Sequence, residues 1–226
     1  MGRPQGLGAA LYDIENIEVL KGPQGTLFGR NTEGGAVSIV TKKPSGKFKL
    51  STTAGAGNFG SYKSELHLDM PSIANLSFKL DGVISARNGT VTNPLTTASD
   101  FNGFERRGIH AGLLWEPTAK FSAYYGYDNS YDATTTLYQQ LISPGSLKYA
   151  AASTVQINRA SSANVGVPQQ PSIGKTSGHR LTMDLDITDH LVLKSITSSR
   201  NLSQGQYDNA SASVTMVNQT GNFTGF

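Results

Sequence analysis

From Lys47 to about Arg200 the chain alternates less polar and polar residues with a period of two. Phe48, Leu50, Thr52 and Ala54 alternate with Lys49, Ser51 and Thr53; Leu66, Leu68 and Met70 alternate with Glu65, His67 and Asp69. The pattern repeats over Leu76–Arg87, Gly108–Trp115, Phe121–Asp128 and Arg180–Ile187, and more weakly over Leu191–Arg200. A strand turns successive side chains to opposite faces, so this pattern predicts about seven half-apolar strands and excludes a helical bundle. Composition agrees. Charged residues make up 15% of the 226 residues, below the usual ~25% of a soluble domain, and Ser, Thr, Asn, Gly and Tyr take their place.

The connections alternate too. Short turns are expected at 71–75, 116–120 and 188–190, and long polar loops at Asn88–Glu105, at Ser130–Ser177 and from Asn201 onward. Strands near ~9–11 residues, with short turns on one rim and long loops on the other, are the layout of an outer-membrane barrel. Trp115 and several tyrosines near strand ends suit an aromatic girdle. Mean hydropathy is −0.28 and no apolar run reaches the ~18–20 residues of a spanning helix, which excludes a helical membrane protein only. A soluble sandwich also alternates, but has no reason to gather its long loops at one end.

Residues 1–46 differ from the rest. "AALYDIEN" can hold a short helical turn, Ile17–Lys21 and Ala36–Lys42 read as strands, and Gln24–Phe28 reads as a turn or a single helical turn. "GPQGTLFGRN" lacks the Lys-Ser or Lys-Thr pair of a phosphate loop. "GAGNFG" (55–60) matches a dinucleotide fingerprint in letters, but "SYKSELHLDM" after it has strand periodicity where that motif needs a helix. A tight turn between strands explains these glycines.

The stretch "YDIENIEVLKGPQGTLFGRNTEGGAVSIVTKKP" closely resembles the C-terminal part of the plug domain of TonB-dependent outer-membrane receptors. The resemblance rests on Ile17-Glu18-Val19-Leu20, Lys21-Gly22-Pro23, Gly25, Leu27-Phe28-Gly29, Arg30-Asn31, Gly34-Gly35, Ala36-Val37, Ile39 and Thr41-Lys42-Lys43-Pro44. Glu33 departs from it, at a slot more often small, hydroxylated or apolar. The stretch to about Arg200 resembles the early barrel strands of the family in pattern.

The resemblance implies a mainly β fold, with the C-terminal part of a small α/β plug domain over 1–46 and the N-terminal part of an antiparallel transmembrane β-barrel over 47–226. It implies residence in the outer membrane of a Gram-negative bacterium. It also implies energy-coupled uptake of a scarce solute, most often a ferric siderophore, with cobalamin, haem, other metals and oligosaccharides as alternatives. The expected partners are outer-membrane lipid, an iron chelate or other small solute, and the TonB energy-coupling complex, reached through an N-terminal segment absent here. Family barrels have 22 strands, so the chain is expected to be a fragment or a truncated product that neither inserts nor transports alone, an open sheet edge being costly in lipid.

Glu18, Lys21 and Arg30 are candidates for ion pairs with the wall, and Gly22, Pro23, Gly25, Leu27, Gly29, Asn31, Gly34 and Gly35 for the turns of a plug that packs closely and still shifts. Lys63, Glu65, His67, Asp69, Lys79, Asp81, Arg87, Arg180, Asp184 and Asp186 are expected to face the lumen. His67, His110, His179 and His190 show no metal-binding spacing. Without cysteine there are no disulfides and no thiolate sites. The net charge of +3 is scattered, unlike a nucleic-acid surface. No catalytic residue and no cofactor is indicated, and the substrate-binding residues are unknown. A soluble β-rich glycan-binding module is the alternative reading.

Overall fold

Two antiparallel sheets, joined through Lys42–Phe48, account for nearly all regular structure in the computed structural model, which describes residues 13–29, 32–140, 157–163, 166–208 and 219–225. The first sheet pairs β1 (Ile14–Lys21) with β2 (Gly35–Thr41), and a single helical turn, α1 (Gly25–Phe28), lies between them. The expected helical turn at "AALYDIEN" is not seen where the chain is described: Ile14 already belongs to β1, because Ile14, Ile17 and Val19 gain cross-strand partners in β2. Residues 9–12 of that stretch lie outside the described residues.

Positive φ calls for glycine at Gly22, Gly29 and Gly35 of this unit. Gly29 closes α1 at φ 82°, its N–H donating to the Gly25 carbonyl. Gly35 enters β2 at φ 133°, and a Cβ there would run into the Leu20 carbonyl. Gly34 next to it has open space.

The second sheet is an eight-stranded meander in chain order, β3 (Lys49–Gly57), β4 (Ser61–Asp69), β5 (Leu76–Arg87), β6 (Phe104–Thr118), β7 (Phe121–Thr134), β8 (Ser172–Thr188), β9 (Leu191–Asp208) and β10 (Gln219–Gly225). β3–β9 are the seven strands read from the sequence, and β10 is an addition. "GAGNFG" is the end of β3 and its hairpin turn, where Phe59 and Gly60 both have positive φ. The short turns fall where expected, between β4 and β5, β6 and β7, and β8 and β9.

The long connections are shorter than expected. β7 and β8 take up both ends of the stretch 130–177, leaving 135–171 as the connection, and β9 runs on to Asp208 in place of a loop from Asn201. Near the loop end the strands carry polar residues on both faces, such as Asn129, Lys175, Ser199 and Ser203, so hydrophobic alternation fades while the hydrogen-bond ladder continues.

The packing is inverted relative to a water-soluble domain. Lys79 and Asp81 in the sheet are 1% exposed, while Leu50, Ile84 and Leu193 are 55%, 47% and 56% exposed. A cluster of buried apolar side chains lies in the connections: Val91 and Phe101 meet Ala163 and Val167. Asn93 ties these two connections together, its amide donating to the Val167 carbonyl at 2.8 Å and accepting from the Val167 N–H at 3.2 Å.

Replacing Gly35 by Ala is expected to cost about 1–3 kcal/mol of local stability, because it forces a strained backbone against a neighbouring carbonyl. Gly34→Ala is expected to change little. Amide hydrogen exchange at Val19 and Val37 measures the difference between the two variants.

Candidate functional site

The strand registers sort the side chains into two faces. Asp69 stands opposite Lys79, His67 opposite Asp81, and Asp81 opposite His110. His110 stands opposite Asp128, and Gly126 opposite Arg180. Cross-strand partners share a face, so Lys63, Glu65, His67, Asp69, Lys79, Asp81, Arg87, Arg180, Asp184 and Asp186 all lie on one face of the sheet. The opposite face carries Leu66, Phe78, Ile84, Ile109, Leu113, Trp115 and Leu185. At the turn end of that apolar face Trp115 meets Phe121 edge-on, ring centroids 5.8 Å apart.

The first sheet is tied to the polar face. Asp13, just before β1, accepts from Lys42 at 2.6 Å with one carboxylate oxygen and from the buried Lys79 ammonium with the other. Asp69 accepts from the Ser45 backbone N–H at 2.9 Å. Lys79 lies 3.8 Å from Asp81 and 3.9 Å from Asp69. Asp81 in turn bonds two histidines, His67 Nδ1 at 2.8 Å and His110 Nδ1 at 3.1 Å. Tyr124 reaches His110 Nε2 at 3.4 Å.

Tyr124 fits because its neighbours on the polar face are glycines. A Cβ at Gly112 would lie 3.2 Å from the Tyr124 hydroxyl, and one at Gly126 would lie 3.4 Å from it. The Arg180 guanidinium and the Lys43 ammonium both stand over the Tyr124 ring, at 5.2 and 5.8 Å.

Asp13, His67 and Asp81 present ligand atoms within 4.8 Å of one another, close enough for a metal ion. Lys79 is bonded to Asp13 and stands 3.8 Å from Asp81, so an ammonium already supplies the positive charge these carboxylates need. Partial burial works to raise the Asp13 pKa, but the bonds and charges of Lys42 and Lys79 outweigh it and lower the carboxyl to about 2. The Asp13 carboxylate, bonded to Lys42, raises the lysine above its ordinary value.

The other expected lumen residues form local pairs. Lys63 meets Glu65 at 2.8 Å, Asp184 meets Lys194 at 3.3 Å, and Arg87 donates to the Asn102 carbonyl at 2.8 Å and stacks on Phe104. Asp186 stands at the turn end of β8. Toward the loop end, a cavity of about 490 Å³ is lined by Arg106, Asp132, Thr134, Gln204, Gln206 and Tyr207, among others, with Arg106 paired to Asp132 at 2.6 Å.

Among the described residues, Glu18 and Lys21 make no ion pair with the second sheet. Both side chains are exposed on β1, and Glu18 accepts from Asn16 on its own strand. Asp13 and Lys42 make the charged contacts instead. Neither was singled out in the sequence for that role, and the one available signal was an acid directly preceding a strand. Arg30 and Asn31 lie outside the described residues. Gly22 (φ 80°), Pro23, Gly25 and Leu27 line the path from β1 through α1, with Leu27 81% exposed.

No protein-family model matches the chain. Among curated proteins, the pesticin receptor of Yersinia enterocolitica is 33% identical over 95 residues, covering 42% of this chain and 14% of the receptor. The metal-pseudopaline receptor of Pseudomonas aeruginosa is 45% identical over 58 residues, covering 26% of this chain and 8% of the receptor. The chain thus spans a small part of the length of the curated relatives it matches. Among solved structures, the ferric yersiniabactin uptake receptor of Yersinia pestis aligns with a TM-score of 0.71 at 21% identity, over 87% of this chain and 30% of that one. The ferric-catecholate import receptor of Escherichia coli aligns with a TM-score of 0.75 at 15% identity, over 93% of this chain and 34% of that one.

The fold is thus that of an antiparallel outer-membrane barrel wall with a small sheet on its polar face. In fold the chain is similar to these outer-membrane receptors, of whose length it spans about a third.

Asp13→Asn is expected to loosen the first sheet by about 2–3 kcal/mol, the low end for breaking a buried pair because Asp13 is partly exposed. The depressed pKa fixes the sign of the pH dependence. The contribution of Asp13 is complete above the ordinary value of 3.8 and is lost as pH falls through about 2. Protease sensitivity of the first sheet, followed from pH 5 to pH 2 in wild type and D13N, checks both points: the wild type should lose protection on acidification, and D13N should start with less.

Proposed function

We propose that this chain is the plug-to-wall segment of a receptor that takes up a scarce solute, most often a ferric siderophore, across the outer membrane with energy from the TonB complex. The observation that carries the reading is the inverted packing, with apolar side chains outward and a charged face tied to the first sheet through Asp13 and Lys79. In lipid only the outward face needs to be apolar, and every strand must find a backbone partner. Residues 1–46 act as plug and 47–226 as wall, with Lys63, Glu65, Arg87 and their neighbours lining the lumen. The glycines from Gly22 to Gly35 give the plug its turns. The exposed Ile17, Val19, Val37 and Ile39, paired across β1 and β2, suit contact with the rest of a plug.

The ferric-siderophore assignment rests on the relatives. The curated set includes a ferric enterobactin receptor and a ferripyoverdine receptor, both of Pseudomonas aeruginosa. The glycan-binding reading has less support: a soluble module needs its apolar faces packed on one another, and here Leu50, Ile84, Ile109 and Leu193 are open.

The test is uptake by cells that express the intact receptor containing this segment. Radiolabelled ferric siderophores are expected to accumulate under iron limitation and to stop accumulating when TonB is deleted. Receptor in the outer membrane with no TonB-dependent uptake of any ferric chelate overturns the substrate class. Receptor in the soluble fraction overturns the membrane reading.

A further inference from the structure

Two cations stand on the apolar face. The registers place Ser64, Ile84, Arg107, Tyr131 and Lys175 in one cross-strand row on that face, from β4 to β8. The next row toward the turns is Leu66, Gly82, Ile109 and Asn129. Between these rows runs a groove of about 410 Å³ whose walls include Leu66, Ile84 and Ile109. Gly82 makes its floor: a Cβ there would meet nothing within 4 Å. The Arg107 guanidinium lies over the Tyr131 ring, 4.5 Å from its centre, at the loop-side end of the groove.

A charge facing lipid costs about 2–4 kcal/mol at mid-membrane and close to zero near the interface. Arg107 and Lys175 therefore mark the headgroup level. Below Arg107 the outward residues of β6 are Ile109, Ala111, Leu113 and Trp115. At about 3.3 Å per residue and a tilt of about 40°, the stretch from Arg107 to Trp115 spans roughly 20 Å of depth, close to the height of a barrel's apolar band. The groove thus begins at one interface and descends into the hydrocarbon. Lipid fills such a depression with an acyl chain, and Arg107 at its mouth, with Lys175 two strands along the same row, selects the headgroup.

We propose that this face binds a phosphate-bearing lipid of the outer leaflet. One acyl chain lies over Gly82, and the phosphate lies between Arg107 and Lys175. The two backbones are two strand spacings apart, about 10 Å, a gap that two long basic side chains close around one phosphate. Glu105, 3.9 Å from Arg107 on the loop side, is half exposed, and exposed pairs of that kind are weak competitors for a phosphate. The proposal rests on the membrane reading above, but not on the transported solute.

The experiment is native mass spectrometry of the intact receptor, extracted from outer membranes in mild detergent. The wild type is expected to retain a phosphorylated lipid. The double variant R107Q/K175Q is expected to retain about tenfold less, the loss of a charge-assisted contact. Gly82→Leu, which fills the groove, is expected to reduce retention as well, and Gly82→Ala to do so less. Added inorganic phosphate is expected to leave the lipid in place. Equal retention in wild type, R107Q/K175Q and G82L overturns the proposal, as does displacement by inorganic phosphate combined with no effect of G82L. Recovery of each variant in the outer-membrane fraction shows that it folds. A wild type absent from that fraction defeats the membrane reading instead.

Discussion

A buried lysine organises this structure. The Lys79 ammonium sits inside the molecule, and a charge there is tolerated only when it is paired. Its partner is Asp13, just ahead of the first sheet, with Asp69 and Asp81 close by. The pairing therefore does two things. It satisfies the wall's buried charge, and it fixes where the first sheet rests against the wall. Asp81 extends the network to His67 and His110, and Asp69 reaches the linker at Ser45. Without Asp13 the polar face keeps its carboxylates and lysine but loses this charged link to the first sheet.

That arrangement requires a wall with two unlike faces. Strand geometry supplies it, because each strand sends alternate residues to opposite sides. Charges that would repel water-excluding lipid are gathered on one side, where they pair: Arg106 with Asp132, Arg200 with Asp128, Lys194 with Asp184. The other side is apolar toward the turns, with Glu105, Arg107 and Lys175 confined to its loop end. Charged pairs of this kind are specific in geometry yet exchange with water once opened. The loop-end cavity around Arg106 and Gln204 lies on the same polar side.

Much of the fold was legible in the sequence. Period-two alternation located seven strands of the wall, and placed ten charged residues on what the registers make one face. It failed near the loops, where Asn129, Lys175 and Ser203 put polar groups on the outward side and the strands went on unseen. β10 was missed because "QTGNFTG" has no apolar alternation and owes its strand to pairing with β9. The site was less legible. The glycine motif carries the resemblance to plug domains through its turns, but the contacting charges lie beside it, at Asp13 and Lys42. Their role depends on Lys79, 66 residues from Asp13, and no local pattern announces a partner at that separation.

The central claim is that the wall is inverted, with β6 turning Ile109, Ala111 and Leu113 to lipid and His110, Gly112 and Leu114 to the interior. Single cysteines placed one at a time from Gly108 to Trp115, in a segment that has no cysteine of its own, can carry spin labels in the intact receptor in lipid vesicles. The measurement is collision with oxygen, which concentrates in lipid, against a water-soluble nickel chelate. The account predicts that odd-numbered positions collide with oxygen and even-numbered positions are shielded from it. Equal collision at neighbouring positions, or the reverse alternation, would contradict the account.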